Sequence, residues 1–89
     1  MLFMNIIELI SIVKKKLQEQ IIIEDIIIED KSFLHKNHAS NQKGRFHLKI
    51  TIKSNELKKF SKIERSKKIH KILDKELKDF IHSIQILIN

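Results

Sequence analysis

Over residues 45–53 the chain alternates without interruption: Phe46, Leu48, Ile50 and Ile52 fall on one side, His47, Lys49, Thr51 and Lys53 on the other. Successive strand side chains point to opposite faces, so this period of two specifies a half-buried strand with one apolar face and one basic, wet face. An apolar strand face has to be covered, and 89 residues are enough for one modest core and too few for two. The expectation is one domain over residues 1–89, assembled around this strand.

The flanking segments supply the cover. Asn5 and Glu8 match a capping box, in which each side chain satisfies a free amide at a helix start. Ile6, Leu9, Ile10, Val13 and Leu17 follow at helical spacing with Lys14, Lys15, Lys16 and Glu19 turned outward, which predicts a helix over about residues 5–20. Two isoleucine triplets, 21–23 and 26–28, are separated by Glu24 and Asp25. Stiff β-branched side chains favour strand, so the pattern predicts a turn over 21–25 and a strand from Ile26 to about Lys31. Residues 32–44 are polar, follow neither period and contain the single glycine, Gly44. They form a long loop of the kind that often carries function.

Beyond the central strand, Ser61 and Glu64 give a second capping box, and Ile69, Ile72, Leu73, Leu77 and Phe80 form a helix face running to about Asp79. Residues 82–88 alternate again, with Ile84, Ile86 and Ile88 sharing the face of His82, and Ser83, Gln85 and Leu87 on the other. Adjacency makes the first two strands antiparallel, and a right-handed crossover makes the third parallel to the second. The predicted fold is α+β, a three-stranded mixed sheet with helices on one face. The order is α-β-β-α-α-β, or α-β-β-α-β if residues 57–60 do not form a turn of their own.

Composition narrows the chemistry. The chain has no cysteine, which excludes disulfides, thiolate-only metal sites and cysteine nucleophiles. Any metal must be held by histidine and carboxylate, or by a partner's sulfur. Eighteen Lys+Arg against 11 Asp+Glu give a formal charge of +7, which favours acidic partners, although lysine is used throughout as a solubilising residue. The apolar start, Met1 to Met4, meets Asn5 and Glu8 and falls short of the ~18–20 apolar residues of a membrane span. With neither a basic start nor a small-residue cleavage site, the expected location is the cytoplasm, or an organelle matrix in a eukaryote.

Three histidines are candidate ligands. His35 and His38 lie three apart in the polar loop, and His82 stands near the C-terminus. Imidazole is a common borderline-soft ligand, and a His-x-x-His loop needs one more donor to hold a metal. The plain alternative is a pair of solvated loop residues. His47 alternates onto the wet face, as a structural or partner-facing residue, and His70 is expected on a partly exposed helix face. Catalysis finds no support: Ser32 and Ser61 have turn and cap explanations, the acidic pairs 24–25 and 29–30 lack a matched acid/base partner, and no glycine loop cradles phosphate.

The order and spacing of several stretches resemble the BolA family over nearly the whole chain. Asp30-Lys31-Ser32 with Leu34-His35-x-x-His38 is similar to the family's loop in its double-histidine form. His47-Leu48-Lys49-Ile50 resembles the opening of its second strand. Ser54-x-x-Leu57, Arg65, Ile69, Leu73 and Glu76-Leu77 track its helical region, and Ile81-His82-Ser83-Ile84 matches its C-terminal histidine motif. The chain departs from the family at Arg65-Ser66-Lys67, where Arg-His-Arg is common, at Lys59, commonly glycine, and at His70, often tyrosine.

The resemblance implies a fold similar to the class II KH domain and a non-enzymatic role. It further implies pairing with a monothiol glutaredoxin and sharing of a two-iron two-sulfur cluster, to which the partner brings a cysteine and bound glutathione. This chain would then supply His82 and one loop histidine, His35 by position with His38 as the near substitute. Replacement of thiolates by histidines on one iron raises a cluster's potential, and because neutral imidazole is required, binding should weaken below roughly pH 6.

The alternative is a KH-like nucleic-acid-binding regulatory protein, a DNA-binding role having been proposed in the family. It would use Lys58, Lys59, Lys62, Arg65, Lys67, Lys68 and Lys71. No Gly-x-x-Gly clamp is present, and stacking residues are limited to five Phe with no Tyr or Trp. Any such binding is expected to be weak and steeply salt-dependent. Self-association as a homodimer, through the wet sheet face or the long loop, is the other expected mode of assembly. No membrane partner is expected.

Overall fold

The amide of Glu8 donates to Asn5 Oδ1 at 2.8 Å and opens the first helix, α1 (Ile6–Gln20). In return Glu8 accepts from the Asn5 side-chain amide at 2.7 Å, so the reciprocal bond of the box is made side chain to side chain. The computed structural model describes residues 4–32 and 46–89. Along α1 the residues at helical spacing turn one way, and Leu9, Val13 and Leu17 are fully buried.

The strands follow as β1 (Asp25–Asp30), β2 (Phe46–Lys53) and β3 (Ile81–Ile88), in the sheet order β1-β2-β3. β1 pairs with β2 antiparallel, with Ile26 opposite Ile52 and Ile28 opposite Ile50. β2 pairs with β3 parallel, with Leu48, Ile50 and Ile52 opposite Ile84, Ile86 and Ile88. These apolar pairs face the helices, and Ile50, Ile52, Leu57, Ile69 and Leu73 are fully buried in the cluster that also holds the α1 residues. The opposite face is wetter, with Ile27 at 52% and Leu87 at 40% exposure.

After β2 the chain forms α2 (Asn55–Lys58), α3 (Lys62–Ile72) and α4 (Asp74–Asp79). Residues 55–58 therefore do make a turn of helix of their own, capped by Ser54. The capping box at Ser61 is complete: Glu64 N–H donates to Ser61 Oγ at 3.1 Å and Ser61 N–H to Glu64 Oε1 at 3.0 Å. The Ser61 backbone N–H foremost, and then the Ser61 hydroxyl, hold the Glu64 carboxyl below its ordinary pKa.

The expected single helix to Asp79 is instead broken at Leu73, which sits at φ −97°, ψ 17°. Apolar spacing carries no signal for a bend at a buried leucine. The bend redirects one turn so that Glu76, 4% exposed, meets Lys16 Nζ of α1 at 2.8 Å.

The connection between α1 and β1 is stitched to the start of α2. Ser54 Oγ–H donates to the Ile22 carbonyl at 2.7 Å, Ile22 N–H donates to Glu56 at 3.3 Å, and Asn55 N–H donates to Glu24 at 2.8 Å. Both backbone polar groups of Ile22, which lies in neither helix nor strand, thereby find side-chain partners, and the first amide of α2 finds one in Glu24.

Candidate functional site

The distinctive feature is where β3 begins. Phe46 pairs with Ile81 and the next residue of β2, His47, pairs with Ser83, so His82 is an extra residue in β3. Two residues facing one across the ladder make a β-bulge, which bends the strand and re-aims side chains. Ile81 stays buried at 1% exposure, while His82 is exposed. The expectation that His82 shares a face with Ile84, Ile86 and Ile88 is corrected: the bulge resets the alternation, and the His82 ring lies beside the His47 ring, with centroids 5.0 Å apart and planes tilted by 58°.

His47 also departs from expectation. Its position in the alternation is the wet side of β2, yet it is only 6% exposed. Its Nδ1 shares a hydrogen bond of 2.6 Å with Ser83 Oγ, and its backbone is held from the other side, N–H donating to Ser32 Oγ at 3.0 Å and C=O accepting from Lys31 N–H at 2.7 Å. A buried imidazole needs partners for its polar atoms, and Ser83 provides one.

The expected loop ligands His35 and His38 lie outside the described residues. The residues that bound their segment, Ser32 and Phe46, both lie at this end of the sheet. Ser32 is bonded to His47, and Phe46 N–H donates to the Phe80 carbonyl at 2.9 Å, two residues before His82. Both ends of the 33–45 connection are thus tied beside the bulge.

Among the described residues no three histidine or carboxylate side chains gather to hold a metal. At the bulge the described residues bring one exposed imidazole, His82, beside a buried one, His47.

His70 is exposed, as expected, with Nδ1 bonded to the Ser66 carbonyl at 2.8 Å. The basic residues of α3 do not all line one groove. Lys62 and Arg65 line a groove between α3 and β3, whereas Lys68 and Lys71 line another against Lys16, Glu19 and Gln20 of α1. Arg65 Nε donates to the Phe60 carbonyl at 3.3 Å and Lys68 Nζ sits 5.3 Å over the Phe60 ring, so both are partly engaged within the domain. Lys58, Lys59, Lys62, Lys67 and Lys71 are exposed. Among the described residues no helix is long and apolar enough to cross a membrane.

Among the described residues, a mixed three-stranded sheet backed by four helices, with a bulge-borne histidine at the start of its last strand, defines a small α+β domain. The chain belongs to the BolA family: the model for BolA-like proteins matches residues 17–89. A DNA-binding transcriptional regulator BolA of Haemophilus influenzae is 31% identical over 76 residues, covering 85% of this chain and 71% of that protein. Among solved structures, BolA1 of Arabidopsis thaliana is 28% identical with a TM-score of 0.73, covering 89% of this chain and 87% of that one. The BolA domain of Arabidopsis SufE1 superposes with a TM-score of 0.76 at 24% identity and the same coverage, and shows the shared fold.

Proposed function

We propose that this chain is a non-enzymatic iron–sulfur adaptor. It pairs with a monothiol glutaredoxin, shares a two-iron two-sulfur cluster with it, and acts in cluster transfer, assembly or iron sensing. The observation that carries this reading is His82, left out of the ladder pairing by a bulge and exposed beside a buried histidine, in a chain with no thiol of its own. His82 is one nitrogen ligand. The second is His35 or His38, on a connection whose two ends are tied at the same end of the sheet. The partner's cysteine and its bound glutathione supply the sulfur.

When bound, such a cluster supplies an electron-transfer and transferable iron centre whose potential is raised by histidine ligation. This chain's residues do the holding: the His82 imidazole is presented to the partner, and the sheet end beside it forms the contact surface. The reading places the protein in the cytoplasm or an organelle matrix, where partner thiols stay reduced.

The test mixes the chain with a monothiol glutaredoxin, ferrous iron, sulfide and glutathione, and records the visible spectrum of the heterodimer. His82→Ala should abolish the heterodimer-specific bands. An unchanged spectrum would rule out His82 as a ligand.

A second reading, as a DNA-binding regulator, is favoured by the name of the Haemophilus relative and by the exposed cations Lys58, Lys59, Lys62, Lys67 and Lys71. If it holds, duplex DNA binding weakens linearly in log–log with salt, and neutralising two of these lysines flattens that slope by roughly two. Tight binding that ignores salt would contradict a phosphate-led contact.

A further inference from the structure

We infer that His47 and Ser83 are positioning residues for His82: together they fix the direction in which its imidazole is offered. The inference rests on the reading of His82 as a ligand and deepens it. Three observations carry it.

The first is the burial of His47 on an otherwise wet sheet face, 6% exposed where Ile27 of the neighbouring strand is 52% exposed. The second is how its ring and backbone are held. Nδ1 shares the 2.6 Å bond with Ser83 Oγ, and its backbone is bonded to Ser32 and Lys31 at 3.0 and 2.7 Å. Held on both sides, the ring is a fixed surface and not a mobile neighbour. The third is the 5.0 Å, 58° contact between that ring and His82.

An exposed histidine on a bulge otherwise samples several rotamers, and a ligand that must be ordered on binding loses affinity by that ordering. Packing against a fixed ring removes alternatives beforehand. The bulge has the same consequence in the backbone: it sets Ser83, and not His82, opposite His47 in the ladder, so the residue bonded to His47 is the covalent neighbour of the one packed on it. His47 and Ser83 thus act on His82 from two directions, one through space and one along the chain. Residues that orient a metal ligand without touching the metal typically change affinity about 10–100-fold when removed.

The test uses the full chain with Ser83→Ala, His47→Phe and His82→Ala. Ser83 is exposed, so its alanine variant keeps the fold, and His47→Phe keeps a ring while removing its nitrogens. In the protein alone, NMR should show cross-relaxation between the His47 and His82 rings and a single His82 χ1 rotamer. Ser83→Ala should weaken the former and average the latter, and His47→Phe should shift the His82 ring resonances.

In the glutaredoxin heterodimer, both variants should still form the cluster. They should alter its visible circular dichroism and lose it to a chelator about tenfold faster than wild type. If both keep the wild-type rotamer and the wild-type chelator rate while His82→Ala abolishes the spectrum, the positioning role is refuted and the ligand reading stands. If His82→Ala leaves the spectrum intact, the ligand reading fails and takes the positioning role with it.

Discussion

Two serines cap neighbouring helices with the same bond to an amide three residues on, one buried and one exposed. Ser54 Oγ accepts from Leu57 N–H at 3.1 Å, and Ser61 Oγ accepts from Glu64 N–H at 3.1 Å. Ser61 is exposed, whereas Ser54 is 0% exposed and also donates to the Ile22 carbonyl at 2.7 Å. Removing a capping hydroxyl costs about 1 kcal/mol, and less where water takes its place. At Ser61 water can reach the freed amide, so Ser61→Ala should cost about 0.5–1 kcal/mol. At Ser54 the cap and the bond to Ile22 are lost together at a site water does not reach, and the second loss adds about 1 kcal/mol or more. Ser54→Ala should therefore cost about 2 kcal/mol.

That corresponds to a fall in Tm of roughly 8–16 °C for a chain of this size, against about half or less for Ser61→Ala. Urea titration followed by far-UV circular dichroism, with thermal melts alongside, measures both. The helix that Ser54 caps, α2, is only four residues long, so a larger loss cannot come from helix propagation. If Ser54→Ala costs no more than Ser61→Ala, the buried stitch between Ser54 and Ile22 contributes nothing and the argument from burial is wrong.

Three further outcomes follow from the same geometry. Because His82 is exposed, His82→Ala should leave the urea midpoint within about 0.5 kcal/mol of wild type, so that any loss of cluster signal is a loss of ligand; a large destabilisation would overturn that separation. Lys16→Met strands the buried Glu76 carboxylate, whereas pairing Lys16→Met with Glu76→Leu removes both charges, so the single variant should be less stable than the double by about 2 kcal/mol in matched urea curves. The depressed Glu64 pKa means the folded state favours its carboxylate. This stabilisation is complete above about pH 4.3 and disappears as pH falls through the lower folded value. Glu64→Gln should flatten that part of the acid stability profile, and a profile parallel to wild type as pH falls below about 4.3 would disprove the assignment.

Much of this architecture is written in local chemistry. The alternation of Phe46 to Lys53, the helical spacing of Leu9, Val13 and Leu17, and the Ser61–Glu64 box each depend on residues a few positions apart, and each element forms where its pattern lies. The sense of strand pairing is legible too, since adjacency and crossover handedness leave one arrangement. The choice of His82 as a candidate ligand rests on its residue type and on its resemblance to a family motif, and not on any period.

What tertiary structure alone decided is how these elements meet. An extra residue in β3 is invisible to a period of two; it arises because Ile81 must stay in the core while Ser83 meets His47 across the ladder, and His82 is left over. The same pairing buries His47 on a face its sequence position marks as wet. Leu73 breaks the predicted helix so that Glu76 can reach Lys16, and within the basic cluster Lys62 and Arg65 line a different groove from Lys68 and Lys71. Period and capping act between residues within one turn or strand, whereas register, bulges and side-chain burial are settled by partners dozens of positions away.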